Sequence, residues 1–371
     1  MTDVSGHLQT NWRRLNGTGR IAGIDLARGL AIIGMFAAHL LALDEGFSWT
    51  DASTWGYLVE GRSSILFATL AGVSIGIVSG GRTPVTGTQM TVVRWRLALR
   101  AAMLFLLGIL LILTGVPVYV ILPAYAVLFL IALPFTSMTA ATVLGVAGSL
   151  AVLMPFLQPL LNALPFWQMP GGSEADAFLG WHYPFTVWIA FVLAGLGIAR
   201  SGITRAVVQM RMLVSGAVLA ACGYGAAVIW MPTQDGGYWS QVWTEEPHSA
   251  GLLEVIGSGG FAVAVIAACL LLCRIPLVKA IVLPLRATGA MPLTAYVMQI
   301  VLWAIIAAVL LGDTGDLMGF RAMDPFWPFV IGTIAASTAW ALLIGRGPFE
   351  WLLDRAATRV VPAPAAGRLE R

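Results

Sequence analysis

Apolar residues gather in ten runs along the chain, over 26–43, 65–78, 97–113, 117–135, 140–161, 184–199, 213–231, 251–273, 292–311 and 326–344. Each reads as a membrane-spanning helix, and several are shorter than the ~20 residues that a perpendicular span needs, so flanking interfacial residues complete them. The pattern predicts an all-α integral membrane protein, a bundle of about ten transmembrane helices with both termini on the same side.

The polar positions between the runs say which side. Nineteen of the 21 Lys and Arg fall in the termini and in alternate loops, and only Arg62 and Arg321 fall on the other face. The acids go the opposite way, among them Asp44, Glu45, Asp51, Glu60, Glu174, Asp176, Asp235, Glu245, Glu246 and Glu254. By the positive-inside rule both termini are expected in the cytoplasm. Adding or dropping one span would scramble every later loop, so the charge segregation also supports the span count.

Composition agrees. Of the 371 residues 58% are hydrophobic and 11% charged, with a mean hydropathy of +0.85, against about 45–50% and about 25% in soluble proteins. That leaves too little polar surface to coat a water-soluble globule, and basic residues confined to short loops exclude a nucleic-acid binder. Fourteen Trp and 41 Gly suit interfacial anchoring and close helix approach. Cys222, Cys269 and Cys273 lie inside apolar runs and form neither a disulfide framework nor a zinc pattern. Residues 1–20 are polar and the first run ends without a small-x-small cleavage site, so the first span is expected to be retained. The expected organisation is a disordered cytoplasmic segment over 1–19, one polytopic domain over 20–358 and a Pro/Ala-rich disordered cytoplasmic tail over 359–371, with no tandem repeat.

Ionisable groups inside spans cost roughly 2.5–3.5 kcal/mol each at a helix centre, so they mark candidate chemistry. The first run, RIAGIDLARGLAIIGMFAAHLLAL, carries Asp25, Arg28 and His39. At about 100° per residue Arg28 and His39 differ by ~20°, and Asp25 lies within ~60° of Arg28, so the three share one stripe that rises ~16 Å from Arg28 to His39. Such a stripe suits a polar conduit with a cation at the cytoplasmic mouth and a base at the far end. The plainer reading is an Asp25–Arg28 ion pair at i, i+3 and a hydrogen-bonded interfacial His39.

Of four histidines, His7 is in the N-terminal segment, whereas His39, His182 and His248 all map to the outer ends of spans or to outer loops. His182 opens the sixth span in GWHYPF, and His248 lies near Glu245, Glu246 and Glu254 in TEEPHSAGLLEVIGSGG, the kind of base and carboxylates that an outer catalytic pocket needs. Solvated loop histidines are the alternative. The spacings fit no metalloenzyme motif, so no metal is expected. Arg62 either orients an anionic substrate or pairs with an outer acid. Arg94, Arg96 and Arg100 precede the third span and serve as topological anchors or as phosphate ligands. GSGG at 257–260 and Gly72, Gly76 and Gly80 read as helix-packing positions rather than a phosphate loop.

With these residues in view the opening RIAGIDLARGLAIIGMFAAHL resembles the first span of the YeiB-like bacterial membrane proteins and of heparan-alpha-glucosaminide N-acetyltransferase, in the transmembrane acyltransferase superfamily. GRSSILFATLAGVSIGI, VILPAYAVLFLIALPF, HYPFTVWIAFVLAGLGIAR, PHSAGLLEVIGSGG, GAMPLTAYVMQ and RGPFEWLL are similar to further YeiB-like segments in the same order. The resemblance implies acyl transfer from a cytoplasmic acyl-CoA, acetyl-CoA foremost, to a glycan or glycolipid acceptor across a bacterial inner membrane. A related branch carries an Arg, ten residues, His arrangement that Arg28 and His39 reproduce.

The expected site follows. His39 is the catalytic base; Arg28, Asp25, Arg96 and Arg100 hold the CoA end; Arg62, His182, His248 and Glu254 shape the acceptor pocket. The pantetheine arm, ~15–20 Å extended, matches the rise from Arg28 to His39. Expected partners are the bilayer, acyl-CoA and the envelope acceptor, without nucleic acid and with homodimerisation open. The rival reading is a transporter or flippase for a small anion or lipid-linked metabolite that uses the same stripe without chemistry.

Overall fold

The computed structural model describes residues 4–17, 19–42, 50–229 and 236–363 and, among them, helices and turns without a strand. A polar helix α1 (Val4–Asn16) precedes α2 (Ala22–Leu40). A 3₁₀ turn at Ala52–Leu58 leads into α3 (Arg62–Val78), followed by α4 (Gly87–Ile112) and α5 (Leu122–Ala132). Next come α6 (Ala140–Asn162), a short α7 (Gly172–Leu179), α8 (Phe185–Arg200), α9 (Ala206–Ile229) and α10 (Tyr238–Val242). The last part holds α11 (Leu252–Leu272), α12 (Pro276–Ile281), α13 (Leu283–Gly289), α14 (Pro292–Leu310), α15 (Leu317–Arg321), α16 (Phe326–Leu343) and α17 (Pro348–Val360).

Eight of these helices are long and apolar enough to cross a membrane: α2, α3 with the turn before it, α4, α6, α9, α11, α14 and α16. The remaining two expected spans meet shorter apolar helices, Leu122–Ser137 and Phe185–Arg200. The second has a physical reason to be short. At 1.5 Å per residue α8 reaches only ~24 Å, but it is buried along almost its whole length against α3, α6 and α5. A helix enclosed by protein need not match the ~30 Å of hydrocarbon.

Small residues set the central packing. A Cβ at Gly72 would collide with the Val192 carbonyl and one at Gly195 with the Thr69 carbonyl, so α3 and α8 lie backbone to backbone. Gly257 and Gly260 of α11 press on Gly223 and Gly216 of α9 in the same way. Gly72, Gly76, Gly257 and Gly260 are therefore packing positions, whereas Gly80, expected to be one, lies past the end of α3 in a turn at φ +112°, a left-handed backbone that suits glycine.

Two terminal expectations change. Residues 4–16, expected to be disordered, form α1, which docks on the end of α16: Leu15 is buried, Asn11 Nδ2 donates to Leu342 O at 3.0 Å and Arg14 Nη2 to Ala341 O at 3.1 Å. Leu8 and Trp12 stay exposed on α1, as suits a helix lying at a membrane interface. Residues 359 and 360 form the last turn of α17, and Val361 O accepts a bond from Arg96 Nε at 2.9 Å. The rest of the expected tail, from 364, lies outside the described residues, as do Asp44, Glu45 and Asp235.

Candidate active site

The first span is pinned at both ends. Asp25, with only 4% of its side chain exposed, accepts two bonds from Arg20 at 2.8 Å each and a longer one from Arg28 at 3.3 Å. The Asp25–Arg28 pair exists, with Arg20 as the closer partner. Arg28 turns its Nη2 to Ser74 Oγ on α3 at 2.6 Å. At the other end Arg321 of α15 donates to the carbonyls of His39 and Ala38, a cation on the exposed C-terminal carbonyls of α2.

Two cavities open at opposite ends of the α2–α3 pair. The first, about 330 Å³, is lined by Arg20, Arg100 and Arg346 with Glu350, Asp354 and Ser74, and by apolar residues of α3, α4 and α5 down to Phe67 and Tyr125. Asp354 joins its arginines, accepting from Arg100 Nη2 at 2.6 Å and Arg346 Nη1 at 2.7 Å. Burial alone would raise the Asp354 carboxyl, but the Arg346 and Arg100 guanidiniums hold it below its ordinary range. The trio keeps one net positive charge, and each guanidinium has donors to spare for an anion. Of the expected CoA ligands Arg100 is in this wall and Arg28 touches it through Ser74, whereas Arg96 is tied to Val361. In the sequence Arg20 and Arg346 are two of the nineteen loop and terminal cations and carry no other signal. Their positions depend on α1 and α17, whose packing the loop charges do not reveal.

The second cavity, about 350 Å³, brings His39, His182 and His248 into one wall, with Glu60, Ser63, Ser64, Tyr119, Tyr183, Tyr296 and Arg321. His182 stacks on Tyr119 with ring centroids 3.7 Å apart and planes at 6°, and His248 lies 4.6 Å from His182. Burial drives the His182 imidazole down to about 4, and burial together with His182 and His39 takes His248 to about 3. Both rings are neutral at pH 7. Because these values lie below the ordinary ~6.5, the unfolded chain binds protons more readily in acid. The thermal midpoint is expected to be flat above about pH 6.5 and to fall between there and about pH 3, with a smaller slope in His248→Phe, measured by thermal unfolding across that range.

Glu254 stands behind His248 rather than in the cavity. Its Oε1 accepts from His248 N at 2.7 Å, and its Oε2 from Ala250 N at 2.7 Å and Ser249 Oγ at 3.1 Å. These bonds hold His248 and Ala250 at φ of +64° and +58°, a left-handed backbone that non-glycine residues rarely adopt. Glu254→Ala is expected to cost about 1–3 kcal/mol by leaving buried amides unpaired and to raise hydrogen exchange over 244–251, which mass spectrometry reads. Arg62 is likewise a structural clasp: Nε donates to Tyr224 Oη at 2.7 Å and Nη1 to Tyr57 O at 2.8 Å, and it does not line the cavity.

Only a thin partition separates the two cavities. Ser64 and Phe67, three residues apart on α3, belong to different cavities, as do Ile121 and Tyr125 at the start of α5. Three or four residues of helix amount to ~5–6 Å. The partition is the Phe67–Tyr125 stack, centroids 5.6 Å apart, with Tyr125 Oη donating to Ser64 O at 3.4 Å.

Fold and site together define a polytopic helical membrane protein with an arginine-lined cavity facing a histidine-lined one across a single aromatic layer. Residues 20–234, more than half of the chain, match the heparan-alpha-glucosaminide N-acetyltransferase catalytic family, and residues 198–360 match a protein family of unknown function, DUF418. The chain thus belongs to the heparan-alpha-glucosaminide N-acetyltransferase family of membrane acetyltransferases. No curated protein matches it.

Proposed function

We propose that the protein moves an acyl group, acetyl foremost, from cytoplasmic acyl-CoA to a glycan or glycolipid acceptor on the outer face of a bacterial inner membrane. In this reading the chain crosses ten times, α5 and α8 included, and the arginine end is cytoplasmic. The observation that carries it is the pair of cavities: a cationic one fit for phosphates and a histidine one fit for base chemistry, meeting within one helical turn.

CoA phosphates settle on Arg20, Arg100 and Arg346, and the pantetheine arm follows the apolar wall toward Phe67 and Tyr125. The thioester passes these rings when they shift and meets His39. His39 takes the proton of the acceptor hydroxyl or amine as that atom attacks the thioester carbon; the C–S bond breaks, and the imidazolium returns the proton to the CoA sulfur. His182 and His248, both neutral, border the acceptor. The test needs no knowledge of the acceptor: acetyl-CoA at a hundred times its dissociation constant stabilises the purified protein by about 2.7 kcal/mol, seen as a rise in unfolding temperature. No rise with acetyl-CoA or longer acyl-CoAs contradicts the reading.

A further inference from the structure

The segment GAMPLTAYVMQ ends on Gln299, a polar residue inside the apolar helix α14. Its side chain is 1% exposed, and an amide buried this deeply in hydrocarbon is costly unless bonded. Its Nε2 stands 3.2 Å from the Nδ1 of His39, and its buried Oε1 has no partner; a half-turn of the amide exchanges the two atoms without moving anything else. The other ring nitrogen of His39, Nε2, bonds to no described residue, and the ring lines the histidine cavity. Gln299 is thus the one described side chain that bonds the imidazole.

An amide can meet Nδ1 in two ways. If its NH₂ donates, Nδ1 carries the lone pair and Nε2 the proton, and the nitrogen facing the cavity has nothing with which to accept. If its carbonyl oxygen accepts, Nδ1 carries the proton and Nε2 presents a lone pair to the cavity. Only the second arrangement lets His39 act as a base, and it serves unchanged when Nε2 becomes protonated, because Nδ1–H still donates to the same oxygen. A carboxylate in that place would hold the ring as well but would add a buried charge beside Arg321, whereas the amide adds none.

We infer that Gln299 is the positioning residue of the site, its amide turned by 180° so that Oε1, in place of Nε2, accepts from Nδ1–H of His39 and fixes the tautomer in which Nε2 faces the substrate. The inference rests on the reading of His39 as the base. The groups facing His39 are Arg321 from α15, Tyr296 from α14, Glu60 ahead of α3, Tyr119 and Tyr183, and His182 and His248 across the cavity. None of these bonds the ring.

The experiment compares Gln299→Leu, Gln299→Glu and His39→Ala with the unaltered protein, each first checked for folding by its unfolding temperature. Two readouts run together: acyl transfer from acetyl-CoA against pH, followed by thiol release with an envelope extract as acceptor, and carbethoxylation of His39 by diethyl pyrocarbonate, followed by peptide mass spectrometry. Gln299→Leu is expected to lower kcat roughly 10–100-fold with KM for acetyl-CoA unchanged. Gln299→Glu, of the same shape, is expected to keep transfer and to move both its acid limb and that of carbethoxylation to higher pH, since a carboxylate on Nδ1 favours the imidazolium. Unchanged kcat in Gln299→Leu with an unshifted carbethoxylation profile in Gln299→Glu overturns the inference. Transfer that persists in His39→Ala removes the base itself, while the carbethoxylation shift still reports separately whether Gln299 orients the ring. If the leucine variant does not fold, the isosteric glutamate decides.

Discussion

His39→Ala is expected to abolish acyl transfer, lowering kcat/KM by about 10²–10⁴-fold, while the protein stays folded and still binds acetyl-CoA. The ring contributes one hydrogen bond, to Gln299, and lines a cavity rather than the sealed core, so its removal leaves no large void. The end of α2 is held by Arg321 through backbone carbonyls, which alanine keeps. Unfolding temperature with and without acetyl-CoA checks both halves of the expectation. A variant that folds, binds and still transfers would remove His39 from the chemistry.

The second large effect is expected at the other cavity. Arg100→Ala combined with Arg346→Ala deletes both cations around Asp354 and turns a site with one net positive charge into a carboxylate facing the incoming phosphates. Charge-assisted bonds to phosphate contribute about 1.5–3 kcal/mol each, so acetyl-CoA affinity is expected to drop at least a hundredfold and the thermal shift to vanish at the original ligand concentration. Arg96→Ala, which breaks only a bond to the Val361 carbonyl, is expected to leave that shift intact. Equal losses in the two variants would mean that the cavity is not where CoA binds.

Much of the fold was legible in the sequence because burial in lipid demands long apolar runs, and each of the ten runs meets an apolar helix. What stayed hidden was amphipathic. Helices α1 and α17 carry charges that read as loop or tail, and only their docking on α16, α14 and α4 makes them ordered. That blindness extends to the site, since Arg20 follows α1, Arg346 precedes α17, and Glu350 and Asp354 lie on α17 itself. The histidines were legible as a group because polar residues in spans are few. The same reasoning applied to Gln299 would have found it, for a lone amide in an apolar helix carries the same cost in kind as a lone imidazole. Arg62 and Glu254 read as ligands for substrate because sequence spacing cannot show that an aromatic ring or a backbone amide already occupies them.

In the proposed reaction a donor and an acceptor meet from opposite sides of the membrane. The direct measurement reconstitutes the protein in sealed vesicles, selects one orientation by protease protection of a tag on the C-terminus, and supplies labelled acetyl-CoA on the arginine side with a membrane-impermeant amino-sugar or glycolipid acceptor on the histidine side. Label is expected on the acceptor only in that arrangement, and not in His39→Ala vesicles. Transfer with both substrates on the histidine side alone, or label crossing the membrane without any acylated product, would contradict it.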